Sequence, residues 1–114
     1  MPNPVVHFEV LGRDADALKR FYQDSFGWGM ESVMPTYAMA RPEAGSGIDG
    51  GVGAAPDGAP GHVTFYVQVD DLQQALAKVE ANGGRTVQPP MDVPDGPSIA
   101  LFADPEGHVV GLVK

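Results

Sequence analysis

The side chains best suited to chemistry in this chain are two histidines and a glutamate: His7, Glu9 and His62. Imidazole and carboxylate groups bind divalent metals, and two histidines with one carboxylate can form a metal site. Glu9 could also serve as a general base if burial raised its pKa. The simpler interpretations are a hydrogen-bonded His7 within a sheet, a Glu9 that pairs with Arg41, and a solvated His62 at the start of a strand.

His7 and Glu9 lie on a stretch that the chain repeats, and His62 comes directly before the second copy. Val5 to Trp28 and Val63 to Arg85 each read as an alternating strand, an acidic helix start, an amphipathic helix and a glycine stop. Sliding the first stretch onto the second by 57 positions aligns both the apolar alternation and the first helical aspartate. An internal repeat of this kind constrains the whole fold. The sequence therefore predicts a single domain with module one over residues 1–55 and module two over residues 61–114.

Each module reads as one strand, one helix and three further strands. Asp14 is a plausible helix N-cap, and Asp71 and Gln74 are spaced like a capping box. The predicted strands are Val5–Leu11, Trp28–Val33, Tyr37–Arg41, Ile48–Ala54, His62–Val69, Arg85–Gln88, Ser98–Ala103 and His108–Val113, with a loop at Pro89–Pro97. This pattern predicts an α+β fold of two tandem βαβββ modules, whose mixed sheets curve into a cup.

The cup should be lined by the residues on the face of each sheet that is opposite its helix. Because side chains alternate along a strand, His7 and Glu9 share that face in module one, and Thr64 and Tyr66 share it in module two. Aromatic rings on these strands could stack on a flat ligand. The expected ligand-binding residues are His7, Glu9, Tyr37, Arg41, Thr64, Tyr66 and Phe102.

Composition argues against several classes of partner. The 114 residues carry 7 basic and 15 acidic side chains, a formal charge of −8, whereas nucleic-acid binding needs a basic surface. There is no cysteine, so disulfides, thiolate metal ligands and a cysteine nucleophile are excluded. No apolar run approaches the roughly 20 residues of a membrane helix, and the N-terminus lacks the pattern of a signal peptide. We expect a cytoplasmic protein with neither a membrane nor a nucleic-acid partner.

The sequence resembles that of a known superfamily. The tandem modules, the segments HFEV, RFYQDSFGW and VQVDDLQQAL, and the ending DPEGHVVGLV are similar to those of the vicinal oxygen chelate proteins. That superfamily includes glyoxalases, extradiol dioxygenases, fosfomycin-modifying enzymes and bleomycin-resistance proteins. The resemblance implies paired βαβββ modules that form a cup, and small members commonly form homodimers.

The resemblance also implies where a catalytic metal would be held. Its ligands come from the first and the last strand of each module. Carried onto this chain, the first-strand positions are His7 and Thr64, and the last-strand positions are near Gly51 to Gly53 and at Gly111. Only His7 is a good ligand, because a threonine hydroxyl binds such metals poorly and glycine has no side chain. We therefore expect no tightly bound metal; a divalent metal, if bound, would use the two histidines and the glutamate named above.

Three hypotheses about function follow. The first is a homodimeric glyoxalase-like protein that binds a small organic molecule in its cup without a tightly held metal. The second is a metal-dependent lyase or dioxygenase of the superfamily with an unusual ligand set. The third is a non-catalytic protein that sequesters a drug, as bleomycin-resistance proteins do, for which the acidic charge would suit a cationic ligand.

Overall fold

The computed structural model describes residues 2–41 and 45–114. The elements are β1 (Val5–Gly12), α1 (Ala15–Phe26), β2 (Gly29–Met34), β3 (Tyr37–Arg41), β4 (Gly50–Ala54), β5 (His62–Gln68), α2 (Leu72–Ala81), β6 (Arg85–Asp92), β7 (Ser98–Ala103) and β8 (Val109–Val113). The order of strand, helix and three strands occurs twice, which confirms the α+β class and the two βαβββ modules. Within the described ranges, neither helix has the length and apolar character needed to cross a membrane.

The chain forms two compact units, which we call the N-terminal unit (residues 7–64) and the C-terminal unit (residues 1–6 and 65–114). The strand order is β2-β3-β4-β1 in the N-terminal unit and β5-β8-β7-β6 in the C-terminal unit. In each unit the first and last strands of the module are parallel neighbours, and the other pairs are antiparallel. The first three residues of β5 belong to the N-terminal unit.

Both helices begin at an aspartate, as the sequence predicts. A carboxylate oxygen of Asp14 accepts a hydrogen bond from the Ala17 N–H, and one of Asp71 accepts from the Gln74 N–H, each at 3.0 Å. Each bond satisfies one of the N–H groups that the first helical turn leaves unpaired. Gly27 ends α1 in the left-handed conformation, with φ of 73°, which glycine adopts without steric cost. The two aspartates thus fix where each helix begins, and Gly27 fixes where α1 ends.

Each unit has its own apolar core between helix and sheet. In the N-terminal unit, the rings of Phe8 and Tyr22 pack against a buried cluster. The residues of that cluster are Val10, Ala40 and Val52. The corresponding buried cluster of the C-terminal unit consists of Leu72, Leu76, Ala100 and Leu112. Phe102, expected to stack on a ligand, is partly buried and packs against this second cluster.

The apolar face expected along β5 is buried only in part. Val67 and Val69 pack against the core of the C-terminal unit. Val63 and Phe65 are alternate residues of the same strand and are expected to lie on the same face, but they are 72% and 42% exposed. The two helical residues buried in that cluster, Leu72 and Leu76, lie in the first turns of α2. Alternation therefore predicts the orientation of Val67 and Val69 correctly, whereas it does not predict how far along the strand the core extends.

The sequence prediction of a loop at Pro89–Pro97 is wrong for its first part. Strand β6 continues through both prolines to Asp92, and the turn begins only at Val93, whose carbonyl accepts from the Gly96 N–H at 2.9 Å. Proline interrupts a strand because it has no N–H to donate. Here β6 is the edge strand of its unit and pairs with β7 alone, with register irregularities around Gln88 and Met91. An edge strand can place proline where no donor is needed.

The predicted turn between β7 and β8 is organised by Asp104. Its Oδ1 accepts hydrogen bonds from the N–H groups of Glu106 and His108, and its Oδ2 lies 2.9 Å from His108 Nδ1. The backbone hydrogen bond from His108 is the main reason that the pKa of Asp104 is lowered. Gly107 closes the turn at φ of 91°. The DPEG segment and the following histidine thus have a structural role here.

Candidate functional site

The polar side chains of β1 lie on the face of the sheet that α1 does not cover. Phe8 packs with the core on the helix side, so the alternation of the strand directs His7 and Glu9 to the other side. Glu9 is nevertheless only 9% exposed. Few carboxylates are buried to this extent unless they have hydrogen-bonding partners.

Tyr37 connects these two side chains. Its hydroxyl lies 2.9 Å from His7 Nε2 and donates to Glu9 Oε2 at 3.0 Å. An ionised carboxylate can only accept, and a tyrosine hydroxyl has one proton. Since the hydroxyl proton points to Glu9, the hydroxyl oxygen accepts from His7. His7 therefore carries a proton on Nε2.

Burial acts on His7 in the same direction. Desolvation is the main cause that lowers the pKa of His7, and the negative charges of Glu9 and Asp49 oppose it in part. A lowered pKa keeps the imidazole neutral at pH 7. A neutral imidazole has one N–H, and in His7 this N–H is on Nε2, which faces the Tyr37 hydroxyl.

Two glycines of β4 make room for the Tyr37 side chain. A Cβ placed on Gly51 would lie 1.7 Å from the Tyr37 hydroxyl oxygen, and one on Gly53 would lie 2.6 Å from Cδ1 of its ring. Tyr37 pairs with Gly53 across β3 and β4, whereas Glu9 pairs with Gly51 across β1 and β4. The tyrosine side chain therefore lies across β4, over these two glycines, and its hydroxyl reaches β1.

A second tyrosine lies over a glycine in the C-terminal unit. Tyr66 of β5 pairs with Gly111 of β8, and a Cβ on Gly111 would be 2.3 Å from Cδ2 of the Tyr66 ring. Tyr66 is only 7% exposed. An aromatic ring that covers a glycine on the neighbouring strand shields the bare backbone of that strand.

Arg41 does not pair with Glu9, contrary to the sequence expectation. Its guanidinium contacts Glu31 at 3.1 Å and Asp49 at 3.0 Å, and these two carboxylates raise its pKa. The Arg41 side chain is 40% exposed. The prediction failed because the sequence does not reveal that the hydroxyl of Tyr37 is the hydrogen-bonding partner of Glu9.

His62 and Thr64 are the other expected site residues of the N-terminal unit. His62 Nε2 lies 3.8 Å from Glu9 Oε1, beyond hydrogen-bonding distance, and its side chain is 42% exposed. Thr64, two residues further along β5, is only 8% exposed. The structure therefore brings His7, Glu9 and Tyr37 together and places His62 at the margin of that group.

A family model described as the glyoxalase/bleomycin resistance protein/dioxygenase superfamily matches residues 5–112. The chain belongs to this superfamily. Among curated relatives, the protein CFP32 of Mycobacterium tuberculosis, named as a glyoxylase, is 35% identical over 106 residues, which are 87% of this chain and 41% of that protein. A glyoxylase-like domain-containing protein of Didymella fabae is 30% identical, over 88% of this chain and 84% of that protein. The chain thus spans about two fifths of the length of the mycobacterial relative.

Solved structures of other proteins share the fold of this chain. Methylmalonyl-CoA epimerase from Mycobacterium tuberculosis superimposes with a TM-score of 0.71 at 17% identity, over 96% of this chain and 85% of that one. The Mn(II)-bound glyoxalase from Novosphingobium aromaticivorans superimposes with a TM-score of 0.67 at 21% identity, over 98% of this chain and 40% of that one. At these identities the likeness establishes the fold alone.

The residues of this superfamily member do not fit the metal that its relatives lead one to expect. Within residues 2–41 and 45–114, no three histidine, aspartate or glutamate side chains are grouped so that they could hold a metal ion. His7, Glu9 and His62 therefore do not form the three-ligand site considered from the sequence. The space beside Gly51 and Gly111, where further ligands would be expected, is filled by tyrosine side chains.

The sequence reasoning missed how Tyr37 reaches its partners. It treated Tyr37 only as a ring that could stack on a ligand, and it noted Gly51 and Gly53 only as positions without a ligating group. Two glycines at alternate positions of a strand indicate that something approaches the backbone closely on that face. That signal was present in the sequence, although it does not identify which ring fills the space.

Proposed function

We propose that this superfamily member binds a small organic molecule at the face formed by His7, Glu9 and Tyr37, without a tightly bound metal. The observation that carries the proposal is the hydroxyl of Tyr37, which His7 and Glu9 share at 2.9 and 3.0 Å. Ligand sites contain a small number of precisely placed polar groups that fix the orientation of the ligand, and the hydrogen-bonded group of His7, Glu9 and Tyr37 can serve in this way. Two of the positions expected to hold metal ligands are glycines, which have no side chain to bind a metal. This favours ligand binding that does not depend on a metal.

The ligand that suits this face is one that offers N–H or O–H donors. The carboxylate of Glu9 has about four acceptor sites on its two oxygens, so it can accept from a ligand in addition to Tyr37. Its low exposure strengthens such a bond, because water competes less for the acceptor. The chain's net charge of −8 would favour the approach of a cationic ligand.

Drug sequestration is the second candidate function. One relative, at 28% identity, is the anthracycline biosynthesis protein DnrV of Streptomyces peucetius, and the superfamily's description includes bleomycin resistance proteins. Recovery of a bound molecule unchanged after long incubation would favour sequestration, whereas its conversion would favour an enzyme. We find no grouping of side chains that favours a metal-dependent lyase or dioxygenase among the described residues.

Self-association remains part of the proposal. Phe21 and Phe26 on α1 are 57% and 63% exposed, and their rings extend the aromatic group that Tyr22 and Trp28 form. A homodimer would be expected to cover apolar surface of this kind. Sedimentation of the purified protein tests this point separately from ligand binding.

Ligand binding is tested by NMR titration of ¹⁵N-labelled protein from which metals have been removed. The probes are metal-free bleomycin, the anthracycline daunorubicin and methylmalonyl-CoA, which together represent the chemistry of the relatives. At least one probe should cause saturable shifts in β1, β3 and β4. Glu9→Gln should weaken its binding about tenfold, the effect of a lost hydrogen bond to a charged group. Glu31→Gln, a matched change at an exposed glutamate, should leave it unchanged.

The titration can contradict the proposal in two ways. One is a protein whose amide signals in these strands respond to none of the three probes. The other is a response that begins only after Mn²⁺ is added.

A further inference from the structure

The two modules can be aligned by their strand pairing as well as by their sequence. The repeat places Glu9 on Tyr66, because the two residues are 57 positions apart. On the parallel neighbour strand, Glu9 pairs with Gly51 and Tyr66 pairs with Gly111. Gly51 and Gly111 are therefore equivalent positions on the last strands of their modules. The strand register thus identifies the last-strand ligand position of module one as Gly51, where the sequence alone leaves the range Gly51 to Gly53.

Both equivalent glycines are covered by a tyrosine, and the two tyrosines come from different strands. Tyr66 lies on the first strand of its module and covers Gly111 directly. In the other module the equivalent first-strand residue is Glu9, and the covering side chain is Tyr37 from the third strand. The repeat alone cannot account for two tyrosines that reach equivalent glycines from non-equivalent positions.

We infer that Tyr37 is a positioning residue whose hydroxyl stands in place of a last-strand metal ligand and orients His7 and Glu9 for an organic ligand. The ring fits because residues 51 and 53 have no Cβ. A side chain at either position would meet the tyrosine at less than 3 Å, a distance at which one of the two groups must move. The hydroxyl then holds His7 through Nε2, the nitrogen that it shares at 2.9 Å.

The same geometry separates what the ring does from what the hydroxyl does. The ring occupies the space over β4, and the hydroxyl orients both neighbours and sets which nitrogen of His7 carries the proton. Tyr37→Phe retains the ring and removes only the hydroxyl. A role limited to packing would leave the His7 imidazole unaffected by this substitution, whereas a positioning role would not.

The deciding experiment measures the tautomer of His7 by long-range ¹H–¹⁵N NMR at pH 7.5 in the protein without added ligand. The wild type should show a neutral ring with the proton on Nε2. Tyr37→Phe should weaken that preference toward the ratio of a solvated imidazole, which itself favours the proton on Nε2, and should move the pH midpoint of the His7 ring signals. Tyr22→Phe, which removes a hydroxyl from the α1 side of the sheet, should change neither. A wild-type proton on Nδ1, or His7 signals unchanged in Tyr37→Phe, would overturn the inference.

A double-mutant cycle tests the space over the glycine independently. Gly51→Ala should lower the Tm by about 5 °C, as expected when a close-packed site is overfilled. In the Tyr37→Ala background the same change should cost much less, because the hydroxyl that the new methyl meets is gone. Equal losses in both backgrounds would overturn the close packing of Tyr37 on Gly51. The inference rests on the proposed function only in naming this face as the site, and both tests use the protein without ligand, so their failure is distinguishable from a failure to bind the probes.

Discussion

The ring of Tyr66 lies so close to Gly111 that a Cβ on residue 111 would be 2.3 Å from the ring's Cδ2. The two residues pair across parallel strands, and the tyrosine is buried. We expect Gly111→Ala to lower the free energy of unfolding by about 1–3 kcal/mol, the usual cost of overpacking a core. Urea denaturation measures this loss. The loss should shrink in the Tyr66→Ala background, and an equal loss there would show that the ring does not limit the space.

The lowered pKa of His7 predicts a dependence of stability on pH. The unfolded chain binds a proton near the ordinary value of 6.5, whereas the folded protein binds it only at lower pH, chiefly because the ring is desolvated. The unfolded state therefore holds more protons in this window, and stability falls as the pH drops below 6.5 toward the folded-state pKa. We expect His7→Gln to lose less stability than the wild type between pH 7.5 and 5.5, by urea denaturation. Identical losses would contradict the burial of a neutral His7.

Arg41 provides a test of the corrected ion-pair assignment. It contacts Glu31 and Asp49 rather than Glu9, and exposed pairs of this kind contribute little to stability. Arg41→Gln should therefore leave the tautomer of His7 and the binding of any probe unchanged, and it should shift the Tm only slightly. A change in probe affinity as large as that of Glu9→Gln would place Arg41 in the site after all.

The N-cap of α2 should contribute measurably to stability. Asp71→Ala removes the acceptor for the Gln74 N–H and should cost about 1 kcal/mol in the free energy of unfolding. Asp70→Ala is the matched control, because it removes a neighbouring carboxylate and leaves the cap in place. Equal effects of the two substitutions in thermal denaturation would indicate that charge, and not the cap, matters at this helix start.

Much of the fold could be predicted from local signals. The capping aspartates Asp14 and Asp71 and the DPEG turn each act over a few residues, and they are found where the sequence places them. The element order within each copy of the repeat is likewise found as predicted. The failures concern contacts that the sequence does not encode locally. Strand β6 continues through Pro89 and Pro90 because it is an edge strand, and edge position is a property of the assembled sheet.

The sequence predicted which residues lie at the candidate site better than it predicted the hydrogen bonds between them. Alternation placed His7 and Glu9 on one face, and the superfamily resemblance pointed to the same strand. The partner of Glu9 could not be predicted, because Tyr37 is 28 residues away and reaches it across β4. Only the three-dimensional pairing of β3, β4 and β1 shows that glycines 51 and 53 open the route between them.

The metal content of untagged protein, measured by mass spectrometry after expression with Zn, Ni, Fe and Mn available, decides whether the face that carries His7 binds a metal. We predict far less than one metal per chain, and no loss of metal in His7→Ala. About one metal per chain that disappears in His7→Ala would contradict this prediction, because the His7 imidazole would then bind a metal and Tyr37 would not be its partner.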